Sequence, residues 1–362
     1  MKKIKILLTI AIFVVLLAND SNGVSAMEIS SQCGILMEQS TGRVLYEKCP
    51  DDQMYIASIT KILTTIVAIE NANLDEWVEI SDNVTRQVGS ALYLMLGDQV
   101  KLIDLLYGLM LRSGNDAAMA IAEFVGGDEA SFVKMMNDKA KEIGITNSVF
   151  QNPSGLDETT YNLSTARDMA LIMQYAMNNP IFREITRTET HKATTKNGMT
   201  YVWHNKNKLL SSYKYCVGGK TGFTERARRT LVTNASKDGV NLTIVTFNDG
   251  NDFKDHKDLY EKYFGSLREY EIVSEGYIDS KYDDSYVDKS FKMSLSKDEF
   301  KRVRKEISYY ENSASKAVGR ISVSLDGKEY FSRDIYIKDR VKKEEVKLSF
   351  WQRLIKRLKE LW

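Results

Sequence analysis

Apolar positions change their spacing several times along the chain, and each change predicts an element. Two short apolar runs flank Ser40-Thr41-Gly42, which predicts a two-stranded hairpin over 31–50. From Ser58 to Glu70 the spacing becomes helical, with Ile62, Leu63, Ile66 and Ile69 on one buried side. Residues 101–125 and 129–143 keep that period, as do 165–177 through Ala166, Met169, Ala170, Met173 and Tyr175. Segments 198–203, 214–222, 229–234 and 241–247 read as strands, and Lys254 to Phe264 as a closing helix. Strands on both sides of a helical middle predict an α+β domain, an antiparallel sheet packed with a helical cluster, over 27–266.

Beyond about residue 270 the pattern shortens to alternation, as in Arg320-Ile321-Ser322-Val323-Ser324-Leu325. Asp326-Gly327 is a strong hairpin turn signal before Lys328-Glu329-Tyr330-Phe331. A small, β-rich, sandwich-like second domain is expected over 267–345. No internal repeat or low-complexity segment is evident.

The two ends follow different rules. Lys2, Lys3 and Lys5 precede an apolar run from Ile6 to Ala18, and Val24-Ser25-Ala26 fits a small-residue cleavage site. Residues 1–26 therefore read as an export signal, with Met27 beginning the mature chain; the apolar run is short for a membrane span. At the other end, Phe350, Trp351, Leu354, Ile355, Leu358, Leu361 and Trp362 recur at helical spacing, with Arg353, Lys356, Arg357 and Lys359 between them. Over 346–362 this is the pattern of a basic amphipathic helix lying on a membrane surface. A helix packing its stripe on the protein itself is the other reading.

Composition narrows the class. The 362 residues carry 50 Lys+Arg against 49 Asp+Glu, a balance that argues against nucleic acid as a partner. Hydrophobic residues make up 43%, as in a globular protein with a full core. Three cysteines are too few for a disulfide framework. Cys33 and Cys49 fall opposite each other if Ser40-Thr41-Gly42 form a three-residue loop, so a disulfide and two unpaired thiols both remain open. Cys216 has no histidine near it in sequence and reads as a strand-packing thiol. His191, His204 and His256 lack metal-ligand spacing, and surface or capping roles are expected for them.

Chemistry is carried by three motifs. The first is Ser58-Ile59-Thr60-Lys61 at the head of the helical run. A serine hydroxyl needs a neighbouring base to act as a nucleophile. Spacing of three places Lys61 on the face of Ser58, and a neutral amine there could take its proton. That requires burial or a second cation to lower the lysine pKa, and Lys220 is the candidate cation. Alone, such a pair is most often a solvated helix turn. The second motif, Ser113-Gly114-Asn115, supplies a hydroxyl relay and an amide that donates and accepts; alone it also reads as a helix cap. The third, Lys220-Thr221-Gly222-Phe223, offers a cation and hydroxyl for a carboxylate. Gly222 permits close backbone approach, and the Phe223 N–H, with that of Ser58, is a candidate oxyanion donor. Gly218-Gly219-Lys220-Thr221 lacks the glycine spacing of a phosphate loop.

In this order the motifs resemble those of the serine D-Ala-D-Ala carboxypeptidases, the low-molecular-weight penicillin-binding proteins. Ser40-Thr41-Gly42-Arg43, Asn152-Pro153-Ser154-Gly155, Ser164-Thr165-Ala166-Arg167-Asp168 and Asn205-Lys206-Asn207-Lys208 resemble the same family. The resemblance is strong over about 30–264 and looser beyond. It implies a β-lactamase/transpeptidase-like fold and removal of the terminal D-Ala from a peptidoglycan pentapeptide. Ser58 would form the acyl-enzyme and Lys61 act as base; Ser113 and Asn115 would serve proton transfer and positioning, and Lys220 and Thr221 the terminal carboxylate. β-Lactams would acylate Ser58; no metal or cofactor is implied, and the site of action would be the outer face of the cytoplasmic membrane. One departure stands out: where the family usually runs Thr-x-x-Ala-Gly, this chain has Thr224-Glu225-Arg226-Ala227-Arg228.

Two other functions compete. A class A β-lactamase shares the motifs but needs a glutamate for deacylation, and Glu158-Thr159-Thr160-Tyr161-Asn162 mimics that spacing. A catalytically inactive wall-binding protein, disabled by Arg228, is the third reading.

Overall fold

The computed structural model describes residues 28–282, 284–311 and 316–337. The segments expected to be an export signal, 1–26, and an amphipathic helix, 346–362, lie outside the described residues. The chain divides into two compact units. One holds Val44–Ala235, Thr243–Lys262 and the residues up to Met37; the other holds Glu38–Arg43, Ser236–Leu242 and the residues from Tyr263 onward.

The main sheet has the order β2-β1-β5-β4-β3. Its strands are β1 (Cys33–Glu38), β2 (Val44–Lys48), β3 (Cys216–Thr224), β4 (Arg228–Lys237) and β5 (Val240–Phe247). β1 and β2 are antiparallel, with Gly34 opposite Lys48 and a bulge after Leu36. All six residues of β1 are buried, as are Leu231, Val232, Ile244 and Val245 of the neighbouring strands. Strands buried so continuously have both faces covered. β3 pairs antiparallel with β4 and forms the sheet edge, so among the described residues its outer backbone groups have no strand partner.

The helices are α1 (Lys61–Asn71), α2 (Leu102–Leu111), α3 (Asn115–Gly126), α4 (Glu129–Ile143), α5 (Ala166–Ala176), α6 (Pro180–Arg187) and α7 (Asp252–Ser266). α1 packs against α2 through α6. Its first eight residues are all buried, so it is a core helix, and Lys61 is the one charged residue among those eight. Thr165 caps α5 by accepting from Asp168 N at 3.0 Å.

Two expectations need correction. The helical run 101–125 is broken into α2 and α3 at Arg112-Ser113-Gly114, because Ser113 turns to φ +68° and Gly114 is extended. The helix expected from Ser58 begins instead as a 3-10 turn, Ala57–Thr60, with the α-helix starting at Lys61. α6, and the strand Thr190–Thr194 that pairs with Thr200–His204, had no clear apolar period to announce them.

In the second unit Ala317–Leu325 lies between Val303–Tyr309 and Lys328–Ile337 in a five-stranded sheet. Burial alternates along Ala317–Leu325, so one face carries the core of Ile321, Val323, Leu325, Ile335, Met293 and Leu295. Asp326 and Gly327 both have positive φ, as a two-residue hairpin turn requires. No helix among the described residues is long and apolar enough to cross a membrane.

Candidate active site

Ser58 sits in the 3-10 turn that feeds α1. Spacing of three eclipses side chains in such a turn, so Lys61 reaches directly back over Ser58. Ala57, just before the serine, holds φ +49°. Gly155 backs this turn closely: a β-carbon there would lie 1.9 Å from the Ala57 carbonyl oxygen.

Lys61 is fully buried. Its Nζ lies 3.1 Å from Ser58 Oγ, donates to Asn115 Oδ1 at 2.8 Å, and donates to the Ser154 carbonyl. Burial first, and the positive charge of Lys206 second, bring its pKa down to about 7 against the opposing pull of Asp116. A neutral amine has two N–H bonds and one lone pair. With Asn115 and Ser154 taking the two hydrogens, the lone pair is left for the Ser58 proton.

The break between α2 and α3 places the second motif. Gly114 is required there, since a β-carbon would lie 2.6 Å from both Leu92 Cγ and Asp116 Oδ1. Ser113 does not cap α3; it is buried and its Oγ has no hydrogen-bond partner among the described residues. Asn115 donates through Nδ2 to the Val88 carbonyl at 2.7 Å while Oδ1 accepts from Lys61. Asp116 accepts from Leu92 N and Ala117 N, both at 2.8 Å. These bonds pin the loop over 88–94 beside the motif.

The third motif lies on edge strand β3. Lys220 is buried and donates to the Thr221 carbonyl at 2.8 Å. Burial, then the charges of Lys61 and Lys206, push its pKa well below the usual lysine range. Lys206 thus acts on Lys61 as a further cation alongside the expected Lys220, whose mutual repulsion with Lys61 shows in its own depressed pKa. Gly222 brings the strand against the serine: a β-carbon would lie 3.0 Å from Ser58 N and 2.3 Å from Thr230 Oγ1. Phe223 is largely exposed.

Ser58, Ser113, Thr221, Gly222 and Phe223 line a single cleft of about 710 Å³. Lys61, Asn115 and Lys220 are buried, with Lys61 bonded to Asn115 and within reach of Ser58. Arg112, Lys206 and Arg229 make part of the cleft wall basic. Arg229 is held there by two bonds to the buried Asp252, at 3.1 and 2.6 Å. Lys206 donates to Ser90 Oγ at 3.0 Å. Sequence reasoning assigned no role to Lys206, Ser154 or Arg229. Lys206 and Ser154 both fall in stretches that resemble the family, but Ser154 contributes a backbone carbonyl, which leaves no side-chain signal.

Arg228 occupies a turn position with φ +55°, where glycine relieves strain. Its side chain pairs with Glu225 at 2.9 Å, is 56% exposed, and is not among the residues lining the cleft. His256 corrects the expectation of a surface role: it is fully buried between Thr233 and Thr246 hydroxyls, and burial lowers its pKa to about 3. Cys216 is a buried strand residue whose pKa burial raises to about 11.

A family model described as D-alanyl-D-alanine carboxypeptidase matches residues 20–251. The chain belongs to this family. The carboxypeptidase of Streptomyces sp. strain K15 is 38% identical over 239 residues, covering 61% of this chain and 82% of that protein. D-alanyl-D-alanine carboxypeptidase DacF of Bacillus subtilis is 32% identical over 63% of this chain; the match spans only 60% of its length. Among solved structures, penicillin binding protein 5 from Haemophilus influenzae superposes with a TM-score of 0.73 at 26% identity, covering 87% of this chain and 98% of that one. The carboxypeptidase family thus accounts for the α+β fold as well as the motif order.

Proposed function

We propose that this chain removes the terminal D-Ala from peptidoglycan pentapeptides through an acyl-enzyme on Ser58, and that β-lactams acylate the same serine. The observation that carries the reading is Lys61, fully buried, with a pKa near 7 and its Nζ 3.1 Å from Ser58 Oγ. Lys61 takes the Ser58 proton as Oγ attacks the carbonyl of the penultimate D-Ala. The Ser58 N–H, and that of Phe223 on the strand edge, stabilise the oxyanion. Ser113, whose hydroxyl has no competing partner among the described residues, passes the proton to the departing amine, and Asn115 fixes the Lys61 amine. The terminal carboxylate lies against Thr221 and Lys220; its negative charge favours the protonated form of a lysine that is otherwise depressed. Water then enters in place of D-Ala and attacks the acyl carbon as Lys61 takes its proton; Lys61 returns that proton to Ser58 Oγ as the ester bond breaks, which frees the peptide acid and Ser58. After incubation with penicillin, mass spectrometry is expected to find one covalent adduct, on Ser58. An unchanged rate of D-Ala release by Ser58→Ala would overturn the assignment.

The β-lactamase alternative loses its base. Glu158 is exposed and opens onto a separate cavity of about 310 Å³ shared with Arg86 and Glu129. The inactive reading loses its cause, because Arg228 turns to Glu225 and does not line the cleft.

The same proposal covers chain organisation: an export signal over 1–26, the catalytic domain 27–266, a β-rich domain 267–345 and a membrane-surface helix 346–362. The basic start of the first and the aromatic, basic stripe of the last support it. Together they put the enzyme on the outer face of the cytoplasmic membrane. Truncation after Lys347 should release it from membranes with its activity intact; retained membrane association would refute the anchor.

A further inference from the structure

We propose that Cys33 and Cys49 close a disulfide across the open end of the β1–β2 hairpin. Gly34 lies opposite Lys48 and Ile35 opposite Glu47, and Cys33 and Cys49 follow this pairing outward, Cys49 just past the end of β2. Both sulfurs, held as thiols in the structure, lie within 4.8 Å of each other and of the Asp52 carboxylate. Cys33 is buried at the start of β1, whereas Cys49 is exposed and holds φ +43° where β2 ends. A bond between them would fix a strained residue at the end of β2, an outer strand of the main sheet.

The unequal exposure sets the order of steps. An external small-molecule disulfide is the oxidant. The Cys49 thiolate attacks one of its sulfurs, its S–S bond breaks, and one thiolate leaves. Cys33 then gives up its proton and attacks Cys49 Sγ, expelling the second thiolate. Two protein thiols lose two electrons and two protons, and the external disulfide becomes two thiols. Burial, with Cys49 and Asp52 close by, raises the Cys33 pKa to about 11, so Cys33 suits the second, intramolecular step.

The compartment rests on the reading of the site as a wall enzyme, since disulfides persist outside the cytoplasm. The chemistry does not, and the Ser58→Ala variant is expected to form the same bond, so the two failures are read separately. The test uses the full chain, exposed to glutathione disulfide and then alkylated in denaturant without reduction. Cys216 should be alkylated, while the Cys33 and Cys49 peptides should be recovered joined and lighter by two hydrogens. Reduction first should label all three. Cys49→Ser, at an exposed position, should lower the oxidised protein's thermal midpoint by roughly 5–10 °C, to that of the reduced wild type. Alkylation of both Cys33 and Cys49 without reduction would overturn the proposal. So would protection that yields to a chelator with release of zinc, or a wild-type midpoint indifferent to reductant.

Discussion

Acylation of Ser58 should carry the titration of Lys61 in its pH profile. With a pKa of about 7, Lys61 is neutral in about 9% of molecules at pH 6 and about 91% at pH 8. The acylation rate by a penicillin should therefore rise about tenfold between those values and level off above. A lysine at the ordinary 10.5 would instead give about a hundredfold rise over the same range, and would still be climbing at pH 9. Lys206→Met tests the cause. A like charge at an effective dielectric near 20 contributes on the order of 1–2 kcal/mol, or about one pKa unit. Removing it should move the midpoint to about 8, so the rate falls about ninefold at pH 6 but hardly at pH 9. Lys206→Arg, which keeps the charge, should leave the midpoint near 7. Fluorescent penicillin and quenched time points from pH 5.5 to 9.5 give the profile, with thermal midpoints checking that Lys206→Met remains folded after losing its Ser90 bond. Unit slope persisting through pH 9 in the wild type would refute the reasoning, as would an unshifted Lys206→Met profile in folded protein.

Other substitutions probe separate parts of the site. Gly222→Ala puts a β-carbon 2.3 Å from Thr230 Oγ1 and 3.0 Å from Ser58 N, and should slow acylation roughly a hundredfold with the fold retained; a near-normal rate would show that the close approach is dispensable. Arg228→Gly relieves a left-handed arginine, worth about 1–2 kcal/mol, against an exposed ion pair and a looser unfolded chain, so urea unfolding should shift by less than about 1 kcal/mol and acylation should stay within about twofold. A large change in either would mean that Arg228 acts in the site after all. Lys61→Met should reduce acylation by at least about a thousandfold. Because the depressed lysine leaves the unfolded chain holding more protons between about pH 7 and 10.5, wild-type stability gains on that of Lys61→Met by on the order of 1 kcal/mol per pH unit across this window. A pH-independent difference between the two proteins would show that Lys61 is not depressed.

Much of the fold was legible because its periods were clean. Ile62, Leu63 and Ile66 announced α1, and all three are fully buried. Alternation along Arg320–Leu325 announced the second unit's sheet, and burial alternates there. The failures have local causes. The break between α2 and α3 is written in Ser113 and Gly114, but backbone angles are invisible to a reading by hydrophobic period, which passes straight through the apolar residues on both sides. α6 depends on Asn179 and Pro180 at its start rather than on a long stripe, and eight residues give little periodicity to detect.

The site divides along a similar line. Ser58, Lys61, Ser113, Asn115, Lys220, Thr221, Gly222 and Phe223 were readable because each contributes a side chain or a glycine at fixed spacing. What tunes them was not. Lys61 is depressed by burial, which the sequence suggests, and then by Lys206, which is 145 positions away and belongs to no spacing rule. The Ser154 carbonyl orients the same amine without using a side chain. Arg228 shows the opposite error. In sequence it stands just behind the clamp and reads as an intrusion on it. In the fold the position is a left-handed turn, and a residue's adjacency along a strand says nothing about which way that turn sends its side chain. A glycine is therefore expected there for the sake of the backbone, and the arginine strains the turn while leaving the cleft beside Ser58 open.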